Sequence, residues 1–166
     1  MDVLEEPEGK NTAPAIFWAA RRCQELYGDE AVLLVLPSDH LITNEQGFQE
    51  TMVKGIDKAR EGHLITFGIK PTHPETGYGY IEIETTQQKI GQSYPVIAFI
   101  EKPDKTRAEQ YIESGNYFWN SGMFAFHIGT LLSDGQTLCK DVAEPFINSN
   151  PHDPRQIENA YKQCQA

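Results

Sequence analysis

The sequence reads as an α/β protein: a layered sheet with helices against its faces. Three observations predict this. Residues 31–36 (AVLLVL) are continuously apolar, the pattern of a strand buried on both faces in a parallel sheet. Around that run, segments of helical spacing alternate with short apolar segments in the order strand, helix, strand, hairpin-like insertion, strand, helix, strand. Helix punctuation also falls where this reading needs it, with Asn11 or Thr12 and Asp104 as caps and Gly28 and Gly115 as stops.

The elements follow in order. Pro14 suits the first turn of a helix, and Ala15, Ile16, Ala19, Ala20, Cys23 and Leu26 continue it at helical spacing up to Gly28. The buried strand ends at Pro37. A second helix is expected over 44–60, with Phe48, Met52, Ile56 and Ala59 on one side. Residues 64–69 predict a strand, and Pro71, Pro74 and Gly77 mark a loop. A short alternating strand follows over 80–84, a connection over 91–94, and another buried strand over 96–100. Asp104 to Ser114 predicts a helix, and 123–127 a strand. From about Thr130 the chain reads as helical, with breaks near Pro145, Pro151 and Pro154. There is no internal repeat and no low-complexity tract, so one domain over 1–166 is expected.

Composition excludes several classes. The chain has 166 residues and a formal net charge of −10, which argues against a nucleic-acid surface. No apolar run approaches the roughly 20 residues that span a bilayer. Cys23, Cys139 and Cys164 are few and widely spaced. They suggest neither a disulfide framework nor a zinc site and point to a reducing cytoplasmic setting.

In open α/β sheets ligands gather at the carboxyl ends of strands, so the residues there carry the functional reading. After the first strand comes Pro37-Ser38-Asp39-His40, where Asp39 either binds Mg²⁺, a hard cation that bridges phosphates, or caps the next turn. After 64–69 comes a loop with Gly77 and Gly79, suited to a close backbone approach to a ligand or simply to a hairpin turn. After 96–100 come Glu101, Lys102 and Pro103. Lysine suits a phosphate and glutamate suits sugar hydroxyls, and the plainer alternative is a surface ion pair. Before the last strand stands Asn120, an amide that both donates and accepts, or one that merely closes a turn. His40, His63, His73, His127 and His152 show no metal-ligand spacing. His40 suits local capping, and the other four suit packing or solvation.

Taken together, GKNTAPA at 9–15, LPSDH at 36–40, TGYGYIE at 76–82, FIEKP at 99–103 and WNSGMF at 119–124 resemble the mannose-1-phosphate guanylyltransferases. The bacterial form, often fused to a mannose-6-phosphate isomerase domain, is the nearest in kind, and the resemblance runs from about residue 5 to 165. It implies a Rossmann-like nucleotidyltransferase fold: a mixed, mostly parallel sheet flanked by helices, with a small β-hairpin insertion. It implies transfer of GMP from GTP to mannose 1-phosphate with release of pyrophosphate, and Mg²⁺ as cofactor. Asp39 would be the metal ligand and, with Lys102, catalytic. Gly79, Glu101, Lys102 and Asn120 would bind the sugar phosphate. Asn11 and Thr12 would lie near the guanine.

Two departures accompany the resemblance. The family's glycine-rich GGxGxRLxP segment, which cradles GTP phosphates, is absent, and so is a second metal-binding aspartate that follows a further strand. Lys10 also stands where arginine is frequent. The resemblance therefore implies an internal portion of such an enzyme, weakly active or inactive by itself. The missing strand would lie beside residues 31–36, which predicts a homo-oligomer joined near that edge. The competing expectations are another sugar-1-phosphate nucleotidyltransferase, such as a thymidylyltransferase, and a non-catalytic sugar-phosphate-binding fragment.

Overall fold

The computed structural model describes residues 2–84, 87–89 and 91–164. The chain divides into two compact units, one made of residues 1–33, 59–64 and 126–166 and the other of 34–58 and 65–125.

The first unit is helical. It contains α1 (Thr12–Tyr27), α4 (Ile128–Leu138), α5 (Lys140–Ile147) and α6 (Pro154–Gln163), which pack on one another. Tyr161 is fully buried and sits edge-on to Trp18 and Phe146, with ring centroids 6.2 and 5.1 Å away. Its hydroxyl donates to Glu6 at 2.8 Å, and burial followed by that carboxylate pushes the phenol's pKa up. Trp18 Nε1 donates to Pro151 O at 3.0 Å. Lys10 Nζ donates to the carbonyls of Tyr161 and of Cys164, the latter at 3.0 Å. A cation at the C-terminal end of α6 matches orphan carbonyls and the negative pole of the helix. The expected break near Pro154 is met, with Pro154 in the first turn of α6 and Asp153 capping it by accepting from Arg155 N at 2.9 Å. Pro145 departs from expectation. It lies inside α5 rather than breaking it, and the breaks fall at Cys139 and over 148–153. Its missing N–H removes the bond that residue 145 would make to the Asp141 carbonyl, and the helix continues for two residues beyond it.

The second unit carries most of the sheet. The strands are β1 (Val32–Val35), β2 (Ile65–Ile69), β3 (Tyr80–Ile83), β4 (Val96–Ile100) and β5 (Tyr117–His127), in the order β1-β5-β3-β4 with β2 also on β5. The expectation of a mostly parallel sheet is not met by these pairings. β2 with β5, β3 with β4, and β3 with β5 are all antiparallel. β5 is the reason, because one long strand runs against two neighbours, and β3 pairs antiparallel with β4, the next strand in sequence.

Burial differs too. β1 is half-buried along its length, and on β4 Ile97 and Phe99 are 57% and 59% exposed. β4 ends the strand order with β3 as its partner, so its apolar run does not mean burial on both faces. The helices α2 (Glu45–Arg60) and α3 (Lys105–Ser114) agree with expectation. Asp104 accepts from Arg107 N at 2.9 Å, and Gly115 follows in a left-handed conformation. Tyr80, Ala108 and Trp119 form a buried cluster against Ile100, Tyr111 and Tyr117. Burial and the carboxylate of Glu82 push the Tyr117 phenol up to about 12.

Candidate active site

The centre of the site is a bulge in β5. Between the pairs Thr66↔Phe124 and Gly68↔Asn120, two steps along β2 face four along β5. Ser121, Gly122 and Met123 stand opposite Phe67 alone, two residues more than a regular ladder would hold. Gly122 has φ +69, a left-handed conformation that favours glycine. The buried Ser121 hydroxyl repairs the disrupted ladder: it donates to Phe67 O at 2.6 Å and accepts from Met123 N at 3.1 Å. Each residue of Asn120-Ser121-Gly122 thus has a structural task. A strand over 123–127 would place Asn120 at its mouth, whereas β5 begins at Tyr117 and Asn120 lies within it. Bulges of this kind re-aim a side chain next to a functional site.

The bulge also sets the chemistry of Asn120. Its Oδ1 accepts from Gly122 N at 3.2 Å and from Thr66 Oγ1 at 3.4 Å. With the oxygen engaged by two donors, the NH₂ group is the part of the side chain without a partner among the described residues. Thr66 was not visible as a site residue in the sequence, since it lies 54 positions away on another strand.

Gly79, Glu101 and Asn120 come together. Asn120 N donates to Gly79 O at 2.8 Å. A Cβ placed on Gly79 would stand 2.8 Å from Glu101 Oε2 and 3.6 Å from Asn120 Cβ. Pairing explains the convergence, since Tyr80 lies opposite both Ile100 and Trp119, so the residues flanking those partners meet. Lys102 Nζ lies 3.9 Å from Glu101 Oε1, with both side chains mostly exposed. Lys102 also has φ +43, left-handed for a non-glycine residue, and it precedes Pro103, a setting that favours extended backbone. Such strain concentrates at ligand sites.

The loop before β3 is held from two directions. Glu75 Oε1 accepts from Gly77 N at 2.8 Å, and Tyr80 Oη donates to Glu75 O at 2.9 Å. The Gly77 amide holds the Glu75 carboxyl below its usual range. His73 and Tyr78 then stand edge-on to Trp119, with centroids 4.9 and 5.4 Å away.

Asp39 lies exposed in the turn after β1, and its carboxylate has no partner among the described residues. The expected alternative, that it caps the turn, is therefore not realised. His40 is likewise exposed without a capping contact there. The loop adjoins the bulge, since Pro37 Cγ is 3.5 Å from where a Cβ on Gly122 would stand. Among the described residues no group of three or more His, Cys, Asp or Glu is placed to hold a metal. One free carboxylate suits Mg²⁺, which takes one or two carboxylates together with substrate phosphates.

Asn11 and Thr12 belong to the other unit, at the start of α1. Asn11 is the N-cap residue, but its side chain makes no capping hydrogen bond. Of the other histidines, His127 caps α4 by accepting from Thr130 N at 3.2 Å, and His152 pairs with Glu25 at 2.7 Å.

The described site thus combines the Asn120 amide, the Glu101 carboxylate, Lys102 and a close backbone approach at Gly79 in an α/β fold. The chain belongs to the nucleotidyl transferase family, whose profile matches residues 1–161. It is similar to the mannose-1-phosphate guanylyltransferase of Klebsiella pneumoniae, at 44% identity over 144 residues, 86% of this chain and 30% of that protein. It is also similar to the xanthan biosynthesis protein XanB of Xanthomonas campestris pv. campestris (strain B100), at 48% identity over 135 residues, 80% of this chain and 27% of that protein. The crystal structure of a mannose-1-phosphate geranyltransferase from Thermus thermophilus superposes with TM-score 0.81 at 29% identity, covering 96% of this chain and 45% of that one. The chain thus spans about a third of the length of the curated relatives it matches.

Proposed function

We propose that this chain forms part of a mannose-1-phosphate guanylyltransferase and contributes the sugar-phosphate side of its site. The observation that carries the reading is the junction of Gly79, Glu101 and Asn120, with Lys102 beside it. The names of the similar proteins favour the same substrate class over a thymidylyltransferase.

In this reading Asn120 donates through its NH₂ to a sugar hydroxyl, and Glu101 accepts from hydroxyls. The backbone at Gly79 meets the ring, where any side chain would collide with Glu101. Lys102 neutralises the sugar phosphate as a point charge. That phosphate oxygen attacks the α-phosphorus of GTP in line, and pyrophosphate leaves; positioning and charge neutralisation carry the step. Asp39 holds Mg²⁺, which would supply charge neutralisation on the phosphates. Asn11 and Thr12 serve the guanine, a role for which Asn11's unused side chain is available. The setting is cytoplasmic, in keeping with three free cysteines. The protein assembles as a homo-oligomer joined beside β1, where Leu36 and Leu41 are 46% and 88% exposed.

Calorimetric titration with mannose 1-phosphate, glucose 1-phosphate and GTP, each with and without Mg²⁺, tests the reading. Selective binding of mannose 1-phosphate is expected. Equal affinity for both sugar phosphates, or binding of neither, would overturn it.

A further inference from the structure

Trp119 opens the WNSGMF stretch but is given no role by the resemblance, and its ring meets the loop that leads to Gly79. It precedes Asn120 on β5 and lies opposite both Ile69 of β2 and Tyr80 of β3. It is 9% exposed and belongs to the cluster with Tyr80 and Ala108. Its outer contacts are the rings of His73 and Tyr78, both edge-on. Those residues bracket the turn in which Glu75 Oε1 receives Gly77 N. Tyr78 itself is 51% exposed, so the indole is the surface that the loop rests on. The indole Nε1 is buried and has no acceptor among the described residues. A buried donor left unpaired is destabilising, and a native protein that keeps one calls for an explanation. Ring packing alone orients this indole.

We propose that Trp119 is a positioning residue: its indole holds the loop from His73 to Gly79 so that the Gly79 backbone stays beside Glu101 and Asn120. The chain of contact is continuous. The ring fixes Tyr78 from one side, and the next residue along β5, Asn120, fixes Gly79 O through its own amide. Adjacent residues of one strand thereby grip adjacent residues of the loop. This inference rests on the proposed function for its ligand and on geometry alone for the loop.

The test uses Tyr78→Ala, Tyr78→Phe and Trp119→Phe in the full chain. Tyr78 is on the surface, so Tyr78→Ala leaves the core untouched even where Trp119→Phe disturbs folding. Mannose 1-phosphate titration should show a Kd raised about tenfold in Tyr78→Ala and Trp119→Phe. Tyr78→Phe, which keeps the ring edge, should restore it, and GTP affinity should stay unchanged throughout. Amide hydrogen exchange without ligand supplies the second reading. The Gly77 amide should exchange about tenfold faster in Tyr78→Ala than in the wild type or Tyr78→Phe. Unaltered exchange and unaltered Kd in Tyr78→Ala would overturn the inference. If the wild type binds no mannose 1-phosphate, the proposed function fails, and the exchange comparison alone still decides whether Trp119 holds the loop.

Discussion

The amide of Asn120 donates to the carbonyl of Gly79 across 2.8 Å, tying the bulged strand β5 to the first residue before β3. This bond leaves the Cα of Gly79 facing Glu101, where a methyl group would lie 2.8 Å from Oε2. Gly79→Ala should therefore displace the Glu101 carboxylate rather than unfold the sheet, because Glu101 is mostly exposed and free to swing away. We expect mannose 1-phosphate affinity to fall about tenfold or more, a loss of ~1.4 kcal/mol, with the melting temperature nearly unchanged. Calorimetry and thermal melting on the same preparations check this.

Lys102 is held at φ +43 immediately before Pro103. A non-glycine residue there costs about 1–2 kcal/mol, which glycine largely avoids at the expense of about 0.5–1 kcal/mol of chain entropy. Lys102→Gly should thus be more stable than Lys102→Ala by up to about 1 kcal/mol, while both lose affinity for the sugar phosphate. Urea denaturation of the pair measures the difference. A Lys102→Gly variant less stable than Lys102→Ala by about 0.5–1 kcal/mol would mean that the backbone at 102 carries no strain.

Lys10 closes the C-terminal end of α6 through the carbonyls of Tyr161 and Cys164. Lys10→Ala should destabilise the fold by about 1–3 kcal/mol, because two partly buried carbonyls lose a charged donor. At this chain length that corresponds to a fall in melting temperature of roughly 2–4 °C for each kcal/mol. Lys10→Arg, which retains the charge and the donors, should recover most of it.

Glu75 has a depressed pKa because it accepts from the amide of Gly77. The folded value lies below the unfolded one, so its contribution is present above the ordinary value of 4.5 and is lost as the pH falls through the lower folded value. Glu75→Gln keeps an acceptor for Gly77 and removes the titration. The stability advantage of wild type over Glu75→Gln should shrink below about pH 5. Paired melts across this range detect it, and a constant difference down to about pH 3 would contradict the assigned cause.

Much of the local architecture was determined by the sequence itself. Asp104 with Gly115, Pro154 and Gly28 delimit helices through single-residue effects that act within a few positions, and each lies where its own chemistry predicts. The strands over 65–69, 80–83 and 96–100 follow from short apolar or alternating runs. The candidate ligand groups at 39, 79, 101, 102 and 120 were legible as polar residues or glycines beside such runs. Pairing direction, strand exposure and the start of β5 were not, because these depend on which strand lies alongside, and a run such as VIAFI reads the same at the end of the strand order as in the middle. Only the tertiary structure brought Thr66 to Asn120 and Phe67 to Ser121, contacts spanning 54 positions. Those contacts decide that Asn120 presents its NH₂ and that Ser121 completes a bulge. Trp119 shows the same division. Its aromatic character marks it for burial from sequence alone, while its grip on His73 and Tyr78 exists only because β5 passes beneath the loop that precedes β3.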